Sequence, residues 1–180
     1  MNQPDTETLN LRAKIGPYSG HFHDYIKLVE EDDFRIALKK QTSKAVVVFN
    51  SITQDKSLYK YAEGKWTIKE VLQHIIDAER VFSYRAVAFA RKDVNHLPSF
   101  DENRYAANSH ANNRSWQELI EEFLAVRKST QMLFNSFTEE DLKSSGIASN
   151  SEISVMALGY TTVGHAAHHI NIIRERYNGV

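Results

Sequence analysis

Residues 64–80 of the sequence, GKWTIKEVLQHIIDAER, contain the clearest helix signal in the chain. Thr67 and Glu70 have the spacing of a capping box, in which each side chain binds a free backbone N–H group at the start of a helix. Apolar residues then recur at helical spacing, at positions 71, 72, 75, 82, 86, 89 and 90. The stretch therefore predicts an amphipathic helix from Thr67 to about Arg91.

Three other segments show the same periodicity, and no convincing strand lies between them. The predicted helices cover residues 34–52, residues 115–137, and a last segment that starts at Ser151 or Ile153 and ends at Tyr177. Shorter helical pieces are expected over residues 21–29 and 138–142. Four amphipathic helices of this kind predict an all-α protein with a four-helix bundle.

The connection between the second and third long helices, residues 93–114, is long for a helical bundle. Such a loop either covers a site or is a plain crossover, and the sequence favours neither. At 180 residues the chain has the length of one domain, so we expect residues 1–180 to form a single bundle domain. Residues 1–20 are expected to be a loosely structured extension.

Charge and composition exclude several classes of protein. The 22 basic and 23 acidic residues give a net charge of −1, whereas a nucleic-acid-binding protein normally has a basic excess. The longest apolar run is 45–49, far shorter than the roughly 20 residues that span a bilayer. The first residues are polar and acidic, unlike a secretory signal, and cysteine is absent. We expect a cytoplasmic protein that acts on a small molecule and binds neither nucleic acid nor membrane.

Histidines are grouped on the predicted core side of two helices. At about 100° per residue, His165 and His169 lie one turn apart on the inward face of the last helix. His74 lies at the edge of the apolar stripe of the second long helix. Three imidazoles from two helices can hold a divalent metal and leave a coordination position open.

Other interpretations of these histidines stay open at this stage. A histidine near a core edge is often a hydrogen-bonded structural residue, and His168 could replace His169 in the set. The remaining histidines lie in polar or loop-like stretches and are predicted to be surface residues: His21, His23, His96 and His110.

Charged residues near His74 on the same helix are candidates for supporting roles. Asp77 lies about 60° from His74 around the helix and could orient the imidazole or act as a general base. Glu70 lies closer, but the capping box already explains it. Glu79 faces the packed stripe and is expected to pair with an arginine. The arginines of this helix, Arg80, Arg85 and Arg91, could bind an anion but are better explained as solvated surface charge.

Two motifs resemble the signatures of the DinB-like (DinB/YfiT) family of metal-dependent enzymes. Residues 64–80, quoted above, are similar to the first signature, and Gly164-His165-Ala166-Ala167-His168-His169 is similar to the second. Residues 97–103 and 123–127 also resemble one branch of the family, so the resemblance covers residues 20–177.

The resemblance implies a four-helix bundle with a three-histidine metal site, often in a homodimer. By position in the motifs, the implied ligands are His74, His165 and His169. Across the family the metal is nickel, zinc, iron or manganese. Characterised members include hydrolases and S-transferases that use a low-molecular-weight thiol as cosubstrate.

Two functions of different classes are compatible with these features. The first is a metal-dependent enzyme, either a thiol-dependent S-transferase or a hydrolase, acting on a small molecule. The second is a non-catalytic bundle that binds a metal or a ligand and dimerises. A relative that keeps the histidines but binds no metal is a third possibility.

Overall fold

A computed structural model describes residues 11–177 and contains seven α-helices and two strands in this part of the chain. The helices are α1 (Gly20–Ile26), α2 (Phe34–Asn50), α3 (Ile68–Ala90), α4 (Glu102–Asn108), α5 (Trp116–Ser136), α6 (Glu139–Lys143) and α7 (Val155–Arg176). The strands are β1 (Ser145–Ala148) and β2 (Ser151–Ser154). Among residues 11–177, no helix combines the length and apolar character that a bilayer crossing demands.

The four long helices form the predicted all-α four-helix bundle. Helix α3 packs against α5 and α7, and α2 packs against the same two helices, so α2 and α3 occupy opposite corners. The short helix α1 lies against α7, and α4 lies against α3. Helix α1 therefore adds side chains beside α7, and α4 adds side chains beside α3.

The starts of α2, α3 and α5 are determined by capping residues adjacent to each helix in the sequence. Both predicted capping boxes form, with Thr67 and Glu70 at α3 and Ser115 and Glu118 at α5. The side chain of Asp33 caps α2 by accepting a hydrogen bond from a backbone N–H of the first turn. Such caps satisfy N–H groups that have no partner inside the helix, which is why the predicted and observed helix starts agree here.

The start of the last helix differs from the prediction. Residues 151–154 form strand β2, which pairs with β1 in an antiparallel hairpin, and α7 begins only at Val155 after the capping residue Ser154. The two turn residues, Ser149 and Asn150, both have positive φ angles, as a two-residue hairpin turn requires. A Ser-Asn turn without glycine is a weak signal in the sequence, so the expectation of no strand was wrong at this point.

The connection of residues 93–114 is ordered by this hairpin and contains α4. The backbone N–H of Leu97 donates to the carbonyl of Ile147 at 2.9 Å, and the N–H of Ser149 donates to the carbonyl of Leu97 at 3.1 Å. The connection therefore runs beside the hairpin before it turns into α4, which lies against α3.

The expected loose extension, residues 1–20, is described only from Leu11 onward. In that part Leu11 is buried in the core, and the Arg12 guanidinium donates to the carbonyl oxygens of Val29 and Glu31. The backbone N–H of Ser154 donates to the carbonyl of Pro17 at 2.9 Å. Residues 11–19 thus contact both the core and the hairpin, and residues 1–10 lie outside the described part.

The bundle core consists of two apolar clusters with a polar layer between them. One cluster surrounds Phe34 and Phe89, and the other surrounds Phe49 and Phe123. Between them, the buried Arg127 of α5 forms a bidentate ion pair with Glu79 of α3. This confirms the expected arginine partner of Glu79.

The polar layer connects all four long helices. Arg127 also donates through Nη1 to Gln41 Oε1 of α2 at 2.8 Å, and Gln41 Nε2 donates to the carbonyl of Val163 in α7 at 2.6 Å. Since buried polar groups need partners, this chain of bonds constrains the register of the helices. The histidines of α7 follow directly after Val163.

Gly164 allows α1 to approach α7, and we expect Gly164→Ala to destabilise the fold. A Cβ atom at this position would lie 2.0 Å from the backbone carbonyl oxygen of Tyr25. Overpacking of this kind costs about 1–3 kcal/mol of stability. The carbonyl of Tyr25 belongs to the backbone, so it cannot avoid the added Cβ by a side-chain rotation. The measurement is the free energy of unfolding in urea.

The matched control is Gly20→Ala, at a glycine in α1 whose added Cβ would meet no heavy atom within 4 Å. We expect this variant to be as stable as the wild type or slightly more stable, because alanine is the better helix former. Equal stability of the two variants would contradict the close packing of α1 on α7.

Candidate metal centre

Three histidines converge between α3 and α7, near the middle of the bundle. His74 comes from α3, and His165 and His169 come from successive turns of α7. His74 and His165 are buried, and His169 is partly buried. The i, i+4 spacing on α7 places two imidazoles on one face, and the packing of α3 against α7 brings the third to them.

The three imidazoles are close enough to share one ion. His74 Nε2 and His165 Nε2 are 3.0 Å apart, and one nitrogen from each of the three rings lies within 4.8 Å of the others. Two nitrogens bound to the same ion at about 2.0–2.1 Å lie roughly 3 Å apart at usual coordination angles. The structure therefore brings together the three residues that the sequence singled out.

The electrostatic surroundings keep these imidazoles neutral at neutral pH. Burial lowers the pKa of His74 to about 4, and the charge of Glu102 opposes this shift. Burial also lowers the pKa of His169 to about 3 and that of His165 well below its usual range, and the neighbouring histidines add to both shifts. Neutral imidazoles present free lone pairs, which is the form that binds a metal.

The donor set fits a divalent transition metal. Among residues 11–177, the potential ligands that cluster in this way are imidazoles alone, a set that suits zinc, nickel or iron better than calcium or magnesium. The Nδ1 atom of His74 is buried and has no hydrogen-bond partner among the described residues. The ring packs against Trp66 and the other two imidazoles, and its other nitrogen, Nε2, is the one 3.0 Å from His165 Nε2.

A cavity of about 330 Å³ opens beside the three histidines. Its wall includes aromatic residues from α1, α3 and the connection before α4, and a few polar groups. The lining residues other than the three histidines are His21, Phe22, Tyr25, Trp66, Phe82, Arg85, Phe100, Glu102 and Ser149. A mostly aromatic cavity with a few polar groups is typical of a small-molecule site.

Asp77 does not reach the imidazoles. Its carboxylate accepts a hydrogen bond from Gln73 at 3.0 Å and pairs with Arg80 at 3.5 Å. It lines a separate cavity next to Arg104 and Tyr105 of α4. Among the described residues none of its hydrogen bonds involves a histidine, so the expected contact between Asp77 and His74 is not formed.

Glu70 has the structural role that the capping box predicts. It accepts hydrogen bonds from the backbone N–H of Thr67 and from the side chain of Asn112. Glu102, which sequence analysis did not single out, is instead the carboxylate on the wall of the histidine cavity. Its position depends on how the connection folds over α3, and no local pattern in the sequence indicates this.

The three arginines of α3 have different surroundings. Arg80 is half-exposed and pairs with Glu122, and Arg91 is exposed, as expected for surface charge. Arg85 is buried and lines the histidine cavity, so its assignment to the solvated surface was wrong. The helical period places Arg85 three residues after Phe82, which also lines the cavity, and this was the signal available in the sequence.

The other histidines are distributed as follows. His168 is partly buried and packs edge-on against Tyr25 and His169, outside the cluster of three. The four predicted surface histidines are exposed, but His21 also lies on the rim of the cavity. Helix α1 therefore contributes to the surroundings of the centre.

Comparisons with known proteins agree with this arrangement. The chain is 25% identical over 154 residues to an Oceanobacillus iheyensis protein named "Putative metal-dependent hydrolase", and the match covers 84% of this chain and 83% of that protein. The fold is similar to that of YfiT from Bacillus subtilis, described as "a probable metal-dependent hydrolase with an unusual four-helix bundle topology". That match has a TM-score of 0.63 at 18% identity and covers 91% of this chain and 90% of YfiT.

The family assignment follows from the extent of the match to a family model. The model of the DinB superfamily matches residues 37–173, which include α3 and α5, most of α2 and α7, and the three clustered histidines. With the bundle, the histidine cluster and this match taken together, the chain belongs to the DinB superfamily.

Proposed function

We propose that this protein is a metal-dependent hydrolase of small molecules, with His74, His165 and His169 as the ligands of a divalent transition metal. The observation that carries this proposal is the convergence of three neutral imidazoles on the wall of a cavity of about 330 Å³. The name of the Oceanobacillus relative supports the same reaction class.

The protein groups around the centre have separate roles in this proposal. A bound ion would supply a Lewis acid that polarises a carbonyl group and acidifies water. The aromatic wall, with Phe82 and Trp66, limits the access of bulk water and strengthens polar interactions in the cavity. Glu102 accepts the proton of the attacking water and returns it to the leaving group. Asp77 is not assigned this role because it lines a different cavity.

A thiol-dependent transferase is the second catalytic candidate. The chain has no cysteine, so a sulfur nucleophile would have to enter the cavity as a low-molecular-weight cosubstrate. This cosubstrate, the formation of a homodimer and a cytoplasmic location stay predictions that rest on the family resemblance and the composition. The same is true of the choice among nickel, zinc, iron and manganese.

The experiment begins with metal analysis of protein purified without chelator. Hydrolysis of a panel of small activated esters and amides is then measured for the metal-loaded wild type, Glu102→Gln and Asp77→Asn. Loss of a general base typically lowers turnover by about 10²–10⁴-fold. We expect Glu102→Gln to show such a loss with unchanged metal content, whereas Asp77→Asn stays close to the wild type.

Two results would contradict the proposal. If the protein binds no metal after incubation with each of the four ions, the histidines are structural. If it binds one equivalent but shows no turnover and no exchangeable water, the protein is a non-catalytic metal-binding bundle. The exchangeable water is measured as the relaxation enhancement of water protons in manganese-loaded protein.

A further inference from the structure

Arg85 is a buried arginine that two neighbouring segments hold in one position. It lies in the second half of α3 and is only 3% exposed. Its Nη2 atom donates to the carbonyl oxygen of Pro98 at 2.8 Å and to Ser149 Oγ at 2.9 Å. Pro98 belongs to the connection after α3 and Ser149 to the hairpin turn, so both segments orient the guanidinium.

The charge of Arg85 has no acidic partner. Among residues 11–177, no carboxylate lies within salt-bridge distance of its guanidinium, and burial lowers its pKa. The other fully buried arginine, Arg127, is neutralised by the bidentate contact with Glu79. An unpaired buried charge is costly, so Arg85 calls for a functional explanation.

The remaining donors of Arg85 are its Nε and Nη1 atoms, and the residue lines the histidine cavity. Both hydrogen bonds from its side chain to described residues come from Nη2, so its Nε and Nη1 atoms donate to none of them. The fully enclosed side-chain atoms without a partner in this part of the chain are His74 Nδ1 and Thr161 Oγ1. The Nε and Nη1 atoms of Arg85 are therefore not fully enclosed, and a ligand in the cavity that this residue lines could reach them.

The wall of the cavity combines two groups of polar side chains with apolar ones. The three imidazoles form one group, and Arg85 with Ser149 forms another, while Phe22, Phe82 and Phe100 supply the apolar surface. Among the described residues, Glu102 is the one carboxylate that lines this cavity. A small molecule could thus place its reacting group at the imidazoles and an anionic group at Arg85.

We propose that Arg85 is the binding site for a carboxylate of the substrate, so that the natural substrate is a small carboxylate-bearing molecule. This proposal rests on the proposed function, because it treats the histidine cavity as the substrate site. It identifies Arg85 as a specificity-determining residue that binds the substrate away from the hydrolysed bond. A guanidinium held by two protein hydrogen bonds is already oriented for this contact.

The test compares two probes of the same shape and different charge, benzoate and benzamide. Each is titrated into full-length, ¹⁵N-labelled protein, both metal-free and zinc-loaded, and the NMR signals of Arg85 Nε–H and the Trp66 indole N–H report binding. A hydrogen bond to a charged group changes affinity by about 10–100-fold. We expect benzoate to bind the metal-free wild type more tightly than benzamide by such a factor.

Variants separate the role of Arg85 from that of the metal centre. Arg85→Gln should lose the preference for benzoate and keep the affinity for benzamide, and Arg85→Lys should retain part of the preference. His165→Ala should keep the full preference in metal-free protein. If Arg85→Gln does not fold cooperatively, the test relies on Arg85→Lys. Complete loss of the preference for benzoate over benzamide in folded Arg85→Lys would then overturn the proposal.

Two other results would also overturn it. One is equal benzoate affinity in the wild type and Arg85→Gln. The other is a preference that disappears in His165→Ala but persists in Arg85→Gln, which would place the carboxylate at the imidazoles. Because the titration of metal-free protein involves no turnover, absence of hydrolysis would contradict the proposed function without affecting this result.

Discussion

Replacing His169 with alanine is expected to lower the affinity for zinc or nickel by more than 100-fold while leaving the fold intact. Loss of a partner that only orients a ligand costs about 10–100-fold in metal affinity, and loss of a ligand should cost more. His169 is partly exposed on α7, and alanine is the best helix former, so the helix should persist. The measurement is metal competition against a chromophoric chelator, with helicity followed by circular dichroism.

The neighbouring residue provides the control for this prediction. His168 lies on the same turn of α7 and contacts the ring of His169, but it is outside the cluster of three. We expect His168→Ala to change metal affinity by less than about tenfold, the lower limit for an outer-shell partner. Equal losses in the two variants, or wild-type affinity in His169→Ala, would show that the ligand set is wrong.

Replacing Arg127 with methionine is expected to lower the free energy of unfolding by about 3–5 kcal/mol, because it leaves the buried carboxylate of Glu79 without a partner. The two side chains are 1% and 2% exposed and are 2.8 Å apart. The substitution also removes the donor that holds Gln41 and through it the link to α7. The measurement is equilibrium unfolding in urea at pH 7.

A double variant distinguishes an unpaired charge from a simple loss of packing. In Glu79→Leu/Arg127→Met both charges are replaced by apolar groups, which is often neutral or stabilising for a buried ion pair. We expect it to recover most of the stability that Arg127→Met loses, as a double-mutant cycle would show. A double variant as unstable as the single one would mean that the ion pair is not the cause.

An exposed ion pair serves as the surface control. Asp24 of α1 and Lys27, the residue that follows this helix, are 2.6 Å apart, but the side chains of Lys27 and Asp24 are 54% and 72% exposed. Solvent screening makes such pairs contribute little, so Lys27→Met should leave stability nearly unchanged. A loss comparable to that of Arg127→Met would argue against burial as the cause of the larger effect.

The cluster of three histidines was predictable from sequence because its members follow helical periodicity. His165 and His169 share a face of α7 through their spacing alone, and His74 falls on the core edge of α3 by the same geometry. Helical geometry left the choice between His168 and His169 open, because the two residues differ by one position around the helix. The family motif implied His169, and the packing of α7 against α3 places His169 in the cluster with His74.

The walls of the cavity were not predictable in the same way. Glu102 and Ser149 reach the cavity from a connection and a hairpin turn whose conformations depend on contacts with residues distant in the sequence. Arg85 was misassigned because its exposure depends on whether another segment covers that part of α3. Asp77 was singled out because it is near His74 along the helix, but its carboxylate lies toward α4.

The sequence by itself determined the four long helices, the capped starts of α3 and α5 and the inward position of the three histidines, since periodicity and capping act within a few residues along the chain. Tertiary structure alone decided the late start of α7, the burial of Arg85 and the composition of the cavity. These features arise where segments separated by tens of residues meet, as Pro98 and Ser149 do at Arg85. Their free energy comes from burial and hydrogen bonds between distant groups, which no local pattern encodes.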